Sequence, residues 1–151
     1  MLLITEQRCN GITLLELVIV ISIIGIIAAI AYPSYLDTIR TGRRVDAVTS
    51  LLKLQIDEEK WRANHTRYAD RLDGDHCGSA EATGLCWGDN EILRKYYRLA
   101  ITESAADGSG FVATATPRPE TDQAHDLCKK IVINQDGPDM NASSDTSCWN
   151  R

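Results

Sequence analysis

From Gly11 to Tyr35 the chain reads GITLLELVIVISIIGIIAAIAYPSY, and between Ile12 and Tyr32 the sole formal charge is Glu16. A helix of that length rises about 1.5 Å per residue and spans roughly 31 Å, close to the hydrocarbon thickness of a bilayer. The stretch is therefore long and apolar enough to cross a membrane once. A plain anchor has no need of a carboxylate near one end, because such a group is costly in hydrocarbon and seeks an interface or a partner. Nor does it need Gly25 and Pro33, which weaken a helix through lost backbone entropy, a missing amide and a clash with the carbonyl four residues back. The segment between those two residues is expected to be the weak part of the helix.

With the apolar span set aside, the 151 residues leave one modest globular domain with a small core. The net charge of −5 does not change if the first eleven residues are removed, since Glu6 and Arg8 leave together. This balance argues against nucleic-acid binding over a whole basic surface and leaves room for a local patch, to which Arg94, Lys95, Arg98, Lys129 and Lys130 contribute. Of the five cysteines, Cys9 precedes the span and Cys77, Cys86, Cys128 and Cys148 follow it. A membrane crossing thus separates one thiol from an even set, which favours two disulfides outside the reducing cytosol, with three connectivities open.

Beyond Pro33 the pattern turns amphipathic, with Ile39, Val45, Val48, Leu52 and Ile56 near helical spacing, so one helix is expected from about Ile12 to Asn64. Arg40, Arg43 and Arg44 read as solvated or lipid-facing charges beside the membrane. The stretch Thr66 to Asn90 is polar, contains glycine and lacks periodicity, so it reads as a long loop. Within it, His76 beside Cys77 matches no standard zinc spacing, and His65 and His125 stand alone and are expected to be exposed. Three strands follow at Tyr96–Thr102, with Tyr97, Leu99 and Ile101 on one face, at Phe111–Thr116, and at Leu127–Ile133. A turn at Asn134 to Pro138 leads to a tail that returns through Asn141 to Cys148-Trp149 as a short fourth strand. No nucleophile, base and orienter set, phosphate-cradling glycine loop or metal cluster is visible, so the chain reads as a non-enzyme without cofactor or metal.

Gly11, the Ile12-Thr13-Leu14-Leu15-Glu16 run, the apolar helix and the Ala31-Tyr32-Pro33-Ser34-Tyr35 ending together resemble the class III signal of the type IV pilin family. The resemblance implies removal of residues 1–11 as a leader by a prepilin peptidase cutting after Gly11, and methylation of the new amino terminus at Ile12, where the family usually has phenylalanine. It implies an assembly helix over residues 12–35 and a globular head over residues 36–151 that includes the second half of the helix. Glu16 would then meet the α-amino group of Ile12 on a neighbouring subunit and set axial register, while Gly25 and Pro33 mark the segment that loses helicity in the filament. From Tyr96 to Arg151 the order of tyrosine-rich strand, threonine and alanine strand, cysteine, asparagine-to-glycine turn and terminal Cys-Trp resembles the small minor pilins. That likeness implies a Cys128–Cys148 bridge and leaves Cys77 for Cys86.

The implied fold is α+β, a long N-terminal helix packed on a small antiparallel sheet of three to four strands with a disulfide-stapled C-terminal loop. The implied function is that of a minor pilin built into or priming a type IV pilus for assembly, adhesion and twitching motility. Its partners would be other pilins, the prepilin peptidase, the inner-membrane assembly platform and membrane lipid before assembly. Two other readings stand beside it, a pilus-borne DNA receptor for competence and a type II secretion pseudopilin. Three arginines after the span would hold the head in the cytoplasm by the positive-inside rule. The prepilin signal and the clustered cysteines argue for the opposite orientation, with a periplasmic head in the inner membrane and an extracellular fibre after assembly.

Overall fold

A computed structural model describes residues 12–73, 84–86, 95–103 and 107–149. Helix α1 runs from Leu14 to Asn64 without a break through Gly25 and Pro33. It starts where the sequence provides a cap: Thr13 Oγ1 accepts the Glu16 amide at 3.2 Å, satisfying a donor that the first turn leaves orphaned. Contacts within the chain divide it after Leu36. In the first unit, every described residue from Ile12 to Tyr35 is exposed.

The second unit opens at Asp37 and contains the rest of α1 and six strands. Strands β3 (Tyr97–Glu103), β4 (Phe111–Pro117), β5 (Ile131–Asn134) and β6 (Gly137–Pro138) form an antiparallel meander in that order. Registers such as Leu99↔Ala115 and Ala115↔Ile131 put Tyr97, Ile101, Phe111, Ala113, Ala115, Ile131 and Ile133 in the core. The alternation expected for β3 is present: Tyr97 and Ile101 are buried and Arg98 and Ala100 exposed, although Leu99 is only half-buried. A two-residue turn, Gln135-Asp136, joins β5 to β6, and Gly137 accepts a φ of 118° that disfavours any residue with a Cβ.

Several expectations are corrected. The helix face turned to the core carries Ala47, Ser50, Leu51, Leu54 and Glu58, whereas Leu52 and Ile56 of the expected stripe are 40% and 57% exposed. The true stripe is bounded by Arg44 and Glu58, and these charges disguise it in a pattern based on hydrophobicity. The head tolerates them because each finds a partner, as described below. Within the stretch read as a loop, β1 (Leu72–Asp73) and β2 (Leu85–Cys86) pair in parallel.

Strand β5 begins at Ile131, four residues later than expected. Upstream, Cys128 is tied to the tail and the Lys130 carbonyl accepts the Ser144 amide at 2.9 Å, so those groups do not enter the ladder. The fourth strand is β6, and the tail instead ends in a 3-10 turn at Thr146–Trp149. A further 3-10 turn at Asp122–His125, absent from the sequence reading, lies between β4 and β5.

Candidate functional site

The first unit holds the residues of the implied assembly signal. Glu16 lies in the first turn of α1, and the large apolar side chains from Ile12 to Tyr35 are between 46% and 80% exposed. Apart from Gly25's own stretch of helix, no atom of the described residues lies within 4 Å of where a side chain on Gly25 would begin. Gly11 and the leader lie outside the described residues.

Arg40, Arg43 and Arg44 are not the solvated or lipid-facing charges expected. Arg40 forks onto Asp122, with Nε and the terminal nitrogen 3.0 and 2.7 Å from the two carboxylate oxygens, and it also reaches Asp37 at 2.9 Å. Arg44 makes the same fork one turn later on Asp126, whose side chain is 1% exposed. The spacing of four on α1 thus meets a spacing of four across the 3-10 turn. The Asp122 hydrogen bond pushes Arg40 up, and Arg40 holds Asp122 below the ordinary carboxylate range. Burial pushes Asp126 upward, but the hydrogen bond and charge of Arg44 outweigh it and leave Asp126 low. Tyr97 and Gln123 also donate to Asp126, and burial raises the Tyr97 hydroxyl. Arg43 lies 3.7 Å over the Tyr96 ring.

At the far end of α1 the same residue type is used differently. Trp61, His65, Thr66, Arg67, Tyr68 and the following residues to Arg71 line an open cavity of about 430 Å³. His65 stacks on Trp61 at 3.8 Å with planes 8° apart, and its Nδ1 is 2.9 Å from the Trp61 carbonyl oxygen. Arg62 closes the helix end by donating to the His65 carbonyl at 2.9 Å and lies 5.8 Å over the Tyr68 ring. Arg71 pairs with its neighbour Asp70, at 3.2 Å, and both side chains are more than half exposed.

This loop is held from three sides. Glu58 Oε2 accepts the Ala69 amide at 3.0 Å, Tyr68 donates its hydroxyl to Glu59 at 2.8 Å and its amide to the Gly108 carbonyl at 3.2 Å, and the Arg71 carbonyl takes the Leu85 amide at 2.9 Å. Gly108 has a φ of 68°, and a Cβ there would collide with the Arg67 side chain. Cationic forks beside aromatic faces are suited to phosphates and bases, since guanidinium binds phosphate and every base has a face to stack. The sequence reading missed this cradle, although the interleaved Trp61-Arg62, His65, Arg67-Tyr68 and Arg71 carried the signal.

Of the cations expected to form a basic patch, Lys95, Arg98, Lys129 and Lys130 are exposed, and Arg94 lies outside the described residues. Lys95 sits 5.4 Å over the Tyr96 ring and Lys129 donates to the Ala124 carbonyl. The Cys128–Cys148 disulfide is present and closes a separation of 20 residues. Cys77, and with it the Cys77–Cys86 pairing, falls outside the described residues. His65 and His125 are exposed, as expected.

Two family models match the chain. The prokaryotic N-terminal methylation motif covers residues 7–32, and the model described as type IV minor pilin ComP, DNA uptake sequence receptor, covers residues 33–132. The type IV major pilin protein PilA of Myxococcus xanthus is 38% identical over 65 residues, which are 43% of this chain and 30% of that protein. A type IV major fimbrial protein FimA of Dichelobacter nodosus is 32% identical over 122 residues, 74% of this chain and 78% of that protein. The chain therefore spans under a third of the first relative and more of the second. A solved type IV pilin from Shewanella oneidensis aligns with 74% of this chain and 99% of its own, at 23% identity and a TM-score of 0.49.

Proposed function

Because the chain belongs to the type IV pilin family, within which the minor-pilin model covers residues 33–132, we propose that it is the DNA-binding subunit of a type IV pilus. The match to a model described as a DNA uptake sequence receptor carries this reading. The cradle at residues 61–71 supports it, since Arg67 and Arg71 flank an open cavity beside stacked aromatic side chains. An acidic total charge does not oppose it, because phosphate contacts depend on where cations stand and not on their total. The minor-pilin role expected first from the sequence is consistent with the match to the minor-pilin model, and DNA capture, the second reading of the sequence, is the finer role that the model's description favours.

We infer the rest of the pathway from the match to the N-terminal methylation motif over residues 7–32. A prepilin peptidase cuts after Gly11, Ile12 becomes the methylated terminus, and the chain waits in the inner membrane with its head in the periplasm. Engagement of Arg40 and Arg44 by the head supports that orientation, because these charges then need no anionic lipid of the cytoplasmic leaflet. The assembly platform next moves the subunit into a fibre, where Glu16 pairs with the Ile12 terminus of another pilin and Gly25 and Pro33 let the helix yield.

Full-length protein in detergent should retard duplex DNA in a gel at low salt and release it as salt rises. Deleting the gene should abolish DNA uptake while pili remain. Uptake undiminished by the deletion would refute the DNA assignment. Mass spectrometry of purified pili should find this chain beginning at methylated Ile12, and its absence from the fibres would refute the pilus assignment.

A further inference from the structure

Glu58 is fully buried on α1, eleven residues before the Ala69 amide that its Oε2 accepts at 3.0 Å. Among the described residues its other oxygen, Oε1, has no hydrogen-bond partner. Ala69 is 2% exposed and sits at the centre of the loop whose side chains line the cradle, with Arg67 and Arg71 each two residues away. We propose, building on the DNA reading, that Glu58 is a positioning residue for the grip: its protonated carboxyl holds the cradle loop in the binding arrangement, and its ionisation displaces that loop.

The physical reason lies in what faces the carboxyl. A neutral carboxyl satisfies Ala69 with one oxygen and carries no charge into the core. A carboxylate in the same place keeps the same hydrogen bond and the same second oxygen but adds a full charge at a buried position, which is the costly arrangement. The charged and titratable groups around it do not relieve that cost. Glu59 is the next residue on α1, Tyr68 on the loop donates its hydroxyl to Glu59, and Arg62 is turned to the Tyr68 ring. No salt bridge to Glu58 is present among the described residues. Burial, opposed by the Ala69 amide and reinforced by Glu59, pushes Glu58 up to about 7.

Near neutral pH, then, the ionised group gains most by reaching water, and the segment in its way is Ala69. The ties at Tyr68 to Gly108 and at Arg71 to Leu85 keep the loop attached on either side. The outcome is a local shift of Arg67 and Arg71 rather than unfolding.

The test uses the full chain in detergent at fixed salt, with a DNA duplex as probe, at about pH 6 and about pH 8.5. Wild-type protein should lose about tenfold in affinity across this range, the factor that corresponds to one unit of proton linkage. Glu58→Gln, which keeps an acceptor for Ala69 and cannot ionise, should retain most of its affinity. Every other group is common to both proteins, so the comparison isolates Glu58. Hydrogen-exchange protection at Ala69 should fall with pH in the wild type and stay level in the variant.

Parallel pH profiles for the two proteins, in binding and in exchange, would overturn the proposal. A carboxyl-carbon NMR titration of wild-type Glu58 with an ordinary carboxylate midpoint would do the same without any variant. If neither protein binds the duplex, the DNA reading fails, and the exchange comparison still decides what Glu58 does to the loop.

Discussion

Arginines stand at both ends of the helical segment that belongs to the head, and the two groups have opposite fates. Arg40 and Arg44 are folded into bidentate pairs with Asp122 and Asp126, and Arg43 covers Tyr96. Arg62 and Arg71 are exposed and held by local contacts, one by the His65 carbonyl and the other by adjacent Asp70, while Arg67 leans on Gly108. The difference teaches that a charge count cannot rank surfaces for nucleic acid. What matters is how the fold holds each cation: Arg40 and Arg44 sit in bidentate pairs with Asp122 and Asp126, whereas the Arg71 pair with Asp70 is exposed on both sides and weakly held.

The contrast can be broken most severely at Arg44. Arg44→Ala leaves the Asp126 side chain, 1% exposed, without its charge partner, which should lower stability by about 3–5 kcal/mol. Denaturant unfolding followed by circular dichroism measures this, and an unchanged midpoint would mean that the pair contributes nothing. Next in size is the effect of pH. Glu58 is raised from 4.5 to about 7, so the folded state binds its proton more tightly than the unfolded chain. Stability from this group is fully present below about pH 4.5 and is lost as pH rises through about 7, by about 3 kcal/mol. Asp126 has the opposite sign: its contribution is present above the unfolded carboxylate range and lost as acid protonates it. Urea midpoints across pH should therefore decline on the neutral side for the wild type and flatten there for Glu58→Gln.

The cradle sharpens the comparison from the other side. Replacing Arg71 by Ala should change stability by less than about 0.5 kcal/mol, because its pair with Asp70 is exposed on both sides. The same change should weaken DNA binding uniformly across sequences and reduce the salt slope by about 1 per lost phosphate contact. An unaltered salt slope in the mobility shift would move the DNA to another face, with Lys129 and Lys130 the next to mutate. The smallest effect belongs to Arg40→Ala, because Asp122 is 42% exposed and water replaces the lost partner. Its unfolding midpoint should sit close to the wild type and far from that of Arg44→Ala.

These residues also show where the sequence was readable. The Leu14–Asn64 helix, the β3–β4 hairpin and the apolar span were legible because each depends on local spacing that repeats along the chain. The core face of the helix was misjudged by about one position, since Arg44 and Glu58 sit on it and look polar until Asp126 and Ala69 are brought opposite them. Strand β5 was started too early because Leu127 and Cys128 look like strand residues. In the fold Leu127 is 82% exposed and Cys128 is bound to Cys148. Of the cradle, the aromatic and basic residues were visible in the sequence, but their convergence was not.

The sequence by itself determined that this chain carries a membrane-length apolar helix with a carboxylate near its start, followed by a small cysteine-containing head. Those properties are local, fixed by composition and by the 3.6-residue and two-residue periods. Only the tertiary structure decided which arginines are neutralised, which remain at the surface, and that a glutamate lies buried beneath the loop between them. Such outcomes depend on partners up to 82 residues away, as for Arg44 and Asp126, and on burial, which no window of sequence contains.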